Sequence, residues 1–344
     1  MSFLDGFSKN LGIDLGTANT LAYIKGKGIV INEPSIVSID VTEQKVIAVG
    51  LEASDMIERT PKNIKTIRPL SNGVIADFEI TQTMLKYFIK KTLKGFHLFK
   101  PIIVIGIPTG VTAVERRAVE EAARSAGGKK AILIEEPMAA AIGTKLPIHK
   151  AEGNIIVDIG GGTTDTAVMS LGGIVASESI KIAGDNIDED IREHLKKNYR
   201  VEIGLKSAEN IKRMIGNASA AYDKNYKEDE KIKKMVATGR DLVTGLPKKI
   251  TLTDEEIREA IQDSVDAIVS SIKRVLEKTP PELSSDISEN GIYLAGGGAL
   301  LKGLNLLIEK ETGISTIISD NPLECVVLGT GIVCENLDKY KNFQ

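Results

Sequence analysis

Gly12-Ile13-Asp14-Leu15-Gly16-Thr17-Ala18-Asn19-Thr20, near the start of the chain, and Ile156-Val157-Asp158-Ile159-Gly160-Gly161-Gly162-Thr163-Thr164, far downstream, share one chemical pattern. Each sets an Asp on an apolar strand just before a Gly/Thr turn. Such a turn carries little side-chain bulk and exposes successive backbone N–H groups, which bind an anion as a nest. The hydroxyls of Thr17, Thr163 and Thr164 and the amide of Asn19 add donors. Either turn alone reads equally well as an ordinary hairpin. A pair of them facing one another can clamp a polyphosphate from both sides. Asp14 and Asp158 stand in otherwise apolar sequence, where an unpaired carboxylate is costly to bury. They are either salt-bridged or capping aspartates, or the carboxylates of a magnesium site, since Mg²⁺ is usually held by one or two carboxylates together with phosphates.

Outward from these turns the chain alternates strands and helices in two similar halves, an α/β pattern. From Leu11 to about Ile47, short β-branched runs broken by Gly and Pro predict a strand meander. Met84, Leu85, Phe88 and Ile89 recur at helical spacing and predict a helix over Thr81 to Thr92. Ile102 to Ile107, apolar on both faces and bounded by Pro101 and Pro108, predicts a central buried strand. Thr112 with Glu115 forms a capping-box signature for a helix stopped by Gly127-Gly128. A strand over Ala131 to Ile134 and a helix from Pro137 to Gly143 follow. The second half restarts with strands over Asn154 to Ile159, Asp165 to Leu171 and Ile174 to Ile182. Asp188 to Asn217 is helical in pattern, and Asp254 to Lys278 reads as one long amphipathic helix ended by Pro280-Pro281. The charge-dense stretch Tyr222 to Met235 nearly self-neutralises and reads as a solvated loop or hairpin.

The 344 residues suit two domains, placed at 1–147 and 148–344 across the polar connector Lys145 to Gly153. Composition is that of a soluble globular protein, 42% hydrophobic and 26% charged, with a net charge of -3. The Lys and Arg residues are scattered, so no clustered basic face invites nucleic acid. Cys325 and Cys334 are the only cysteines. They match neither a zinc nor a redox spacing, and with His97, His149 and His194 far apart a protein metal cage is not expected. No apolar run approaches the ~20 residues that cross a bilayer, and the N-terminus lacks a basic start and long apolar stretch. The expected location is the cytoplasm.

Two further segments carry chemistry. Ala295-Gly296-Gly297-Gly298-Ala299-Leu300-Leu301 is a Gly-rich joint between a strand and a helix, where a ligand can approach backbone closely; it lacks a GxGxxG fingerprint. Ile134-Glu135-Glu136-Pro137 places two acids at a strand end before a helix. One of them can orient or deprotonate an attacking water, or both can simply favour the helix dipole.

These four segments, in this order, resemble the phosphate, connecting and adenosine motifs of the actin-like ATPase superfamily. Within it, Lys25-Gly26-Lys27-Gly28-Ile29-Val30, Asn32-Glu33-Pro34-Ser35, Gly73-Val74-Ile75-Ala76-Asp77, Leu98-Phe99-Lys100-Pro101, Val114-Glu115-Arg116-Arg117 and Glu277-Lys278-Thr279-Pro280-Pro281-Glu282-Leu283 are similar to the MreB family of bacterial cell-shape proteins. The resemblance runs from about Leu11 to Leu337. It implies duplicated actin-like, ribonuclease H-like domains with mixed sheets flanked by helices and nucleotide in the cleft between them, with small subdomains at about 32–77 and 185–252. It implies ATP/ADP and Mg²⁺ as cofactors, with Asp14 and Asp158 at the metal. Thr17, Ala18, Asn19, Gly160, Gly161, Gly162, Thr163 and Thr164 correspond to phosphate contacts, and Gly184, Asp185, Glu209 and Lys212 to further nucleotide contacts, the last two at ribose and base. Gly296, Gly297, Gly298 and Ala299 correspond to the adenosine turn. Glu136 corresponds to the residue that positions the hydrolytic water, with Thr163 helping.

The resemblance also implies ATP hydrolysis coupled to polymerisation, with self as partner in filaments of paired protofilaments through Thr112 to Ala126. It further implies contact with the inner face of the cytoplasmic membrane through Phe3, Leu4, Phe7, Leu98 and Phe99, and with membrane proteins of the shape-determining machinery. A short N-terminal apolar segment is by itself a frayed tail. Two other classes share the nucleotide motifs. A chaperone of this superfamily needs a large substrate-binding region after the ATPase portion, and a kinase needs an acceptor pocket; neither is expected here.

Overall fold

The computed structural model of the protein describes residues 10–71, 73–93, 100–219 and 233–340. The membrane candidates Phe3, Leu4, Phe7, Leu98 and Phe99, and residues 222–232 of the charge-dense stretch, lie outside the described residues.

β1 (Leu11–Leu15), β2 (Asn19–Ile24) and β3 (Gly28–Pro34) form an antiparallel meander, turned at Gly26 and Gly28, both with positive φ. A small sheet follows from β4 (Val37–Asp40), β5 (Lys45–Val49) and β6 (Ile64–Ile67), with α1 (Leu51–Asp55) between the last two. The short pair β7 (Leu70–Ser71) and β8 (Val74–Ile75) leads to α2 (Phe78–Thr92), which starts earlier than its apolar spacing suggests because Asp77 caps it. Next come β9 (Ile102–Ile107), α3 (Ala113–Ser125), β10 (Lys130–Glu135) and α4 (Glu136–Gly143). Thr112 and Glu115 close the capping box of α3. β9 and β10 add in parallel beside β1, giving the order β10-β9-β1-β2-β3. The interior position of β9 explains its unbroken apolar sequence.

The second half repeats this plan. β11 (Asn154–Ile159), β12 (Thr164–Ser170) and β13 (Gly173–Ile180) form the meander. A smaller module comprises α5 (Gly184–Tyr199), β14 (Val201–Glu202), α6 (Leu205–Ile215), β15 (Lys234–Asp241) and β16 (Pro247–Thr253). Then follow α7 (Asp254–Ala260), α8 (Gln262–Glu277), α9 (Pro281–Asn290), β17 (Ile292–Ala295), α10 (Leu304–Thr312), β18 (Thr316–Ile318) and α11 (Cys325–Glu335). The sheet order β13-β12-β11-β17-β18 matches the first sheet strand for strand.

α4 and α11 each follow the last strand of their own sheet, and they pack against one another between the halves. Ala139, Ala140 and Ala141 of α4 and Val327, Thr330 and Cys334 of α11 are buried there. Glycine makes the approach possible. A Cβ on Gly143 would collide with the Cys325 carbonyl, and one on Gly329 with the Ala139 carbonyl. A shared apolar core of Val104, Ile132, Ile156 and Ala295 surrounds the crossing and fixes the two sheets beneath the cleft.

Two helical expectations are corrected. Asp188 to Asn217 is not one helix: α5 ends at Arg200 in the left-handed conformation, φ 54° and ψ 39°, and Val201–Glu202 pairs with β15 before α6 begins. Asp254 to Lys278 is likewise kinked at Ile261, φ -97° and ψ 2°. The apolar stripe of Ile257, Ile261, Val265, Ile268, Ile272 and Val275 nonetheless stays buried through the kink.

Candidate functional site

The β1–β2 and β11–β12 turns meet face to face. A Cβ on Gly161 would lie 2.7 Å from the Ala18 Cβ, so only glycine allows this approach. Thr17 Oγ1 accepts the Gly73 N–H at 3.1 Å. On the other side, the N–H groups of Gly184 and Asp185 donate to the carbonyls of Gly160 (3.2 Å) and Gly161 (2.8 Å), seating the start of α5 on the second turn. Gly296, at φ 78°, presses on the same hairpin: its Cβ would sit 2.5 Å from Asp158 Oδ1. The segment Gly297–Leu300 is one 3₁₀ turn, and α10 starts only at Leu304. The structure thus brings Thr17, Ala18, Gly160, Gly161, Gly184, Asp185, Gly296 and Asp158 into one cleft.

The cleft floor is acidic. Asp158 and Asp165 are opposed in register on β11 and β12, and both are buried. Glu136 is the first residue of α4, one position before the start expected at Pro137, and is also buried. Its neighbour Glu135 is taken by Arg116 of α3 at 3.2 Å, leaving Glu136 as the cleft-facing acid of the pair. Burial pushes Asp14 up to about 7. Burial also raises Glu136 and Asp158 well above the usual carboxylate range, and the charges acting on them are other carboxylates: Asp165, Asp14 and Asp158 on Glu136; Asp14 and Asp165 on Asp158. Acids crowded without a cation are unfavourable. Among the described residues no three His, Cys, Asp or Glu side chains can hold a metal by themselves. This donor set fits a hard divalent ion that takes its remaining ligands from phosphate and water.

On the α5–α6 side, Lys212 Nζ lies 2.9 Å from Asp188 Oδ1 and donates to the Gly184 carbonyl at 2.8 Å. Glu209 sits one turn earlier on α6 and pairs outward with Arg213 at 2.7 Å. Asp185 is paired across the cleft with Arg68 at 2.7 Å, beside a cavity of about 250 Å³ lined by Thr17, Arg68, Ser71 and Asp185. Nothing in the sequence alone assigns a role to Arg68 or Asp165. Asp165 sits in the second motif, but only the strand register reveals that it faces Asp158.

The MreB/Mbl protein family matches residues 8–342 of the chain. The cell shape-determining protein Mbl of Bacillus subtilis is 50% identical over 334 residues, 97% of this chain and 98% of that protein. The cell shape-determining protein MreB of Escherichia coli is 48% identical over 339 residues, 97% of this chain and 95% of that protein. MreB5 of Spiroplasma citri bound to ADP superposes with a TM-score of 0.90 at 38% identity, covering 97% of this chain and 98% of that one. The MamK double helical filament shares the fold at a TM-score of 0.79 and 22% identity, over 94% of this chain and 98% of that one. The chain belongs to the MreB/Mbl family.

Proposed function

We propose that the protein is an actin-like ATPase that binds ATP and ADP with Mg²⁺, hydrolyses ATP and polymerises into cell-shape filaments on the inner face of the cytoplasmic membrane. The observation that carries this reading is the facing pair of Gly/Thr turns over a floor of buried carboxylates. In relatives of similar fold, the S. citri protein is named with ADP and with AMPPNP, and the B. subtilis and E. coli proteins are named for cell shape.

In this reading the backbone N–H groups of both turns and the hydroxyl of Thr17 hold the phosphates, and Asp14 and Asp158 hold the metal, with Lys212, Glu209 and the Gly296 to Ala299 turn at the nucleoside. The metal, when bound, neutralises charge developing on the phosphates. Glu136 accepts a hydrogen bond from the attacking water and orients it, and Thr163 provides a second contact. The two halves, at 1–147 and 148–344, close on the nucleotide, and head-to-tail contacts that do not close on themselves build a filament. Self-assembly multiplies weak membrane contacts by Phe3, Leu4, Phe7, Leu98 and Phe99.

The test is electron microscopy and phosphate release with Mg-ATP, for the parent and Glu136→Ala. Filaments from both, with phosphate release at least about 100-fold slower in the variant, are expected. Absence of ATP-dependent filaments from the parent overturns the polymer reading, and undiminished release by the variant overturns the role of Glu136. Liposome pelleting in the same buffers should weaken when residues 1–7 are deleted, and unchanged pelleting removes the membrane assignment of that segment.

A further inference from the structure

The segment Asn32-Glu33-Pro34-Ser35 carries the chain out of β3, and Ser35, its last residue, is fully buried. The Ser35 hydroxyl donates to the Gly16 carbonyl at 2.6 Å, and its backbone N–H donates to the Ala18 carbonyl at 2.9 Å. One residue thereby holds two carbonyls of the turn between β1 and β2. Thr20 Oγ1, equally buried, lies 2.8 Å from Ser35 Oγ. A serine hydroxyl has one proton, and the Gly16 carbonyl takes it, so Thr20 is the donor in that bond. The chain from Thr20 through Ser35 to Gly16 therefore runs in one fixed direction.

The second hairpin reaches the same arrangement with different atoms. Leu15 pairs with Thr20 and Ile159 with Thr164, so Gly16 and Gly160 are equivalent first residues of their turns. The Gly160 carbonyl accepts the Gly184 N–H at 3.2 Å, and the Gly161 carbonyl accepts the Asp185 N–H at 2.8 Å. Thr164, the counterpart of Thr20, donates its hydroxyl to the Ile182 carbonyl at 2.7 Å. The segment 182–185 thus holds the second turn as Ser35 holds the first. A trans peptide points its carbonyl and its N–H in opposite directions, and no cis peptide occurs among the described residues. Fixing the Gly16 and Ala18 carbonyls on Ser35 therefore aims the N–H groups of Thr17 and Asn19 away from it. Fixing the Gly160 and Gly161 carbonyls on the start of α5 likewise aims the N–H groups of Gly161 and Gly162 away from that helix.

We propose that Ser35 is a positioning residue for the nucleotide phosphates, locking two carbonyls of the first turn onto the core side so that the turn meets an anion with N–H groups. An untied peptide in a tight turn can flip and present its oxygen to the phosphate, where the partial charges repel. Holding the peptides in advance removes that reorganisation from the binding step. Ser35 does this without touching the ligand. Because the phosphates are held both before and during reaction, its effect falls on binding rather than on the chemical step. The inference rests on the nucleotide reading of the cleft given above.

The test uses the full chain and measures equilibrium binding of Mg-ADP, steady-state kcat and KM for Mg-ATP, and the urea midpoint without nucleotide. Ser35→Ala keeps the backbone N–H bond and frees the Gly16 carbonyl; it should weaken ADP binding about tenfold and raise KM in step, with kcat within about threefold of the parent. Thr20→Val removes a second buried hydroxyl from the same cluster but leaves Ser35 on Gly16. It should lower the urea midpoint by a similar amount while ADP affinity stays within about threefold of the parent. Ser35→Cys keeps the volume and offers only a weak donor; it is read in place of Ser35→Ala if that chain fails to fold, and should weaken ADP binding about fivefold. The assignment is overturned if the Ser35 variants bind ADP within about threefold of the parent, if Thr20→Val weakens ADP as much as Ser35→Ala, or if kcat falls while affinity holds. A parent chain that binds no ADP defeats the nucleotide reading itself, whereas a parent that binds ADP beside Ser35 variants that bind it equally well removes Ser35 alone.

Discussion

Asp188 shows how a single buried acid ties this cleft to pH. Burial raises its carboxyl from 3.8 to about 6, and Lys212 at 2.9 Å only partly opposes the shift. Because the folded pKa lies above the unfolded one, the folded chain holds the extra proton between about pH 4 and pH 6. The contribution of this group to stability is therefore greatest below pH 4, falls as pH rises to 6 and is constant above; its full range is about 3 kcal/mol. Asp188→Asn removes that titration. In urea unfolding without nucleotide, the stability of Asp188→Asn relative to the parent should rise by up to about 3 kcal/mol between pH 4 and pH 7; a difference that stays flat over this range defeats the assignment. Residue-scale chemistry was legible where it is local. The Thr112–Glu115 box is a three-residue event and reads directly from sequence. Asp165 was not legible, because its meaning comes from Asp158 across a strand pair and from Thr109, 56 positions away.

At the scale of elements, the crossing of α4 and α11 is the joint on which the cleft is built. Two opposing effects meet at Gly329. Alanine favours a helix over glycine by about 1 kcal/mol, but here its Cβ would run into the Ala139 carbonyl, which belongs to a packed backbone and cannot rotate away. Overpacking of this kind costs about 1–3 kcal/mol and can cost more when backbone must move. The clash is with backbone, so the steric term wins, and Gly329→Ala should lower unfolding stability by up to about 2 kcal/mol. Equal or greater stability of the variant would show that the helices can separate freely. The main strands of both halves were predictable from apolar runs bounded by Gly and Pro, most cleanly Asn154–Ile159 and Ile102–Ile107, whereas their order in the sheets was not. The break after α5 was hidden. An arginine, not a glycine, takes the left-handed position at its end, and the strand it feeds exists only because β15, from some forty residues on, pairs with it.

For the whole molecule, the question is what holds the mouth of the cleft closed above the joint of α4 and α11. Arg68 reaches across to Asp185 at 2.7 Å, Lys206 donates to the Ser54 carbonyl, and the Glu58 carboxylate fills the space over Gly204. These contacts all join the smaller part of the first half to the smaller part of the second, at the mouth of the cleft. None is deeply buried; the Arg68 and Asp185 side chains are 33% and 36% exposed. An ion pair so exposed is worth about 0–1 kcal/mol and is screened by salt. The mouth is thus held shut weakly enough for a nucleotide to pass, and a loss of 1 kcal/mol of closure changes an opening equilibrium by about fivefold. Arg68→Ala should therefore speed release of a fluorescent ADP from the monomer by up to about fivefold at low salt, while Arg68→Lys stays nearer the parent. The difference should shrink toward zero near 1 M salt, where the Debye length falls to about 3 Å. If release is unchanged at low salt, Arg68 does not guard the mouth. If the acceleration persists undiminished at high salt, Arg68 acts through the part of the cavity wall its side chain forms rather than through its charge.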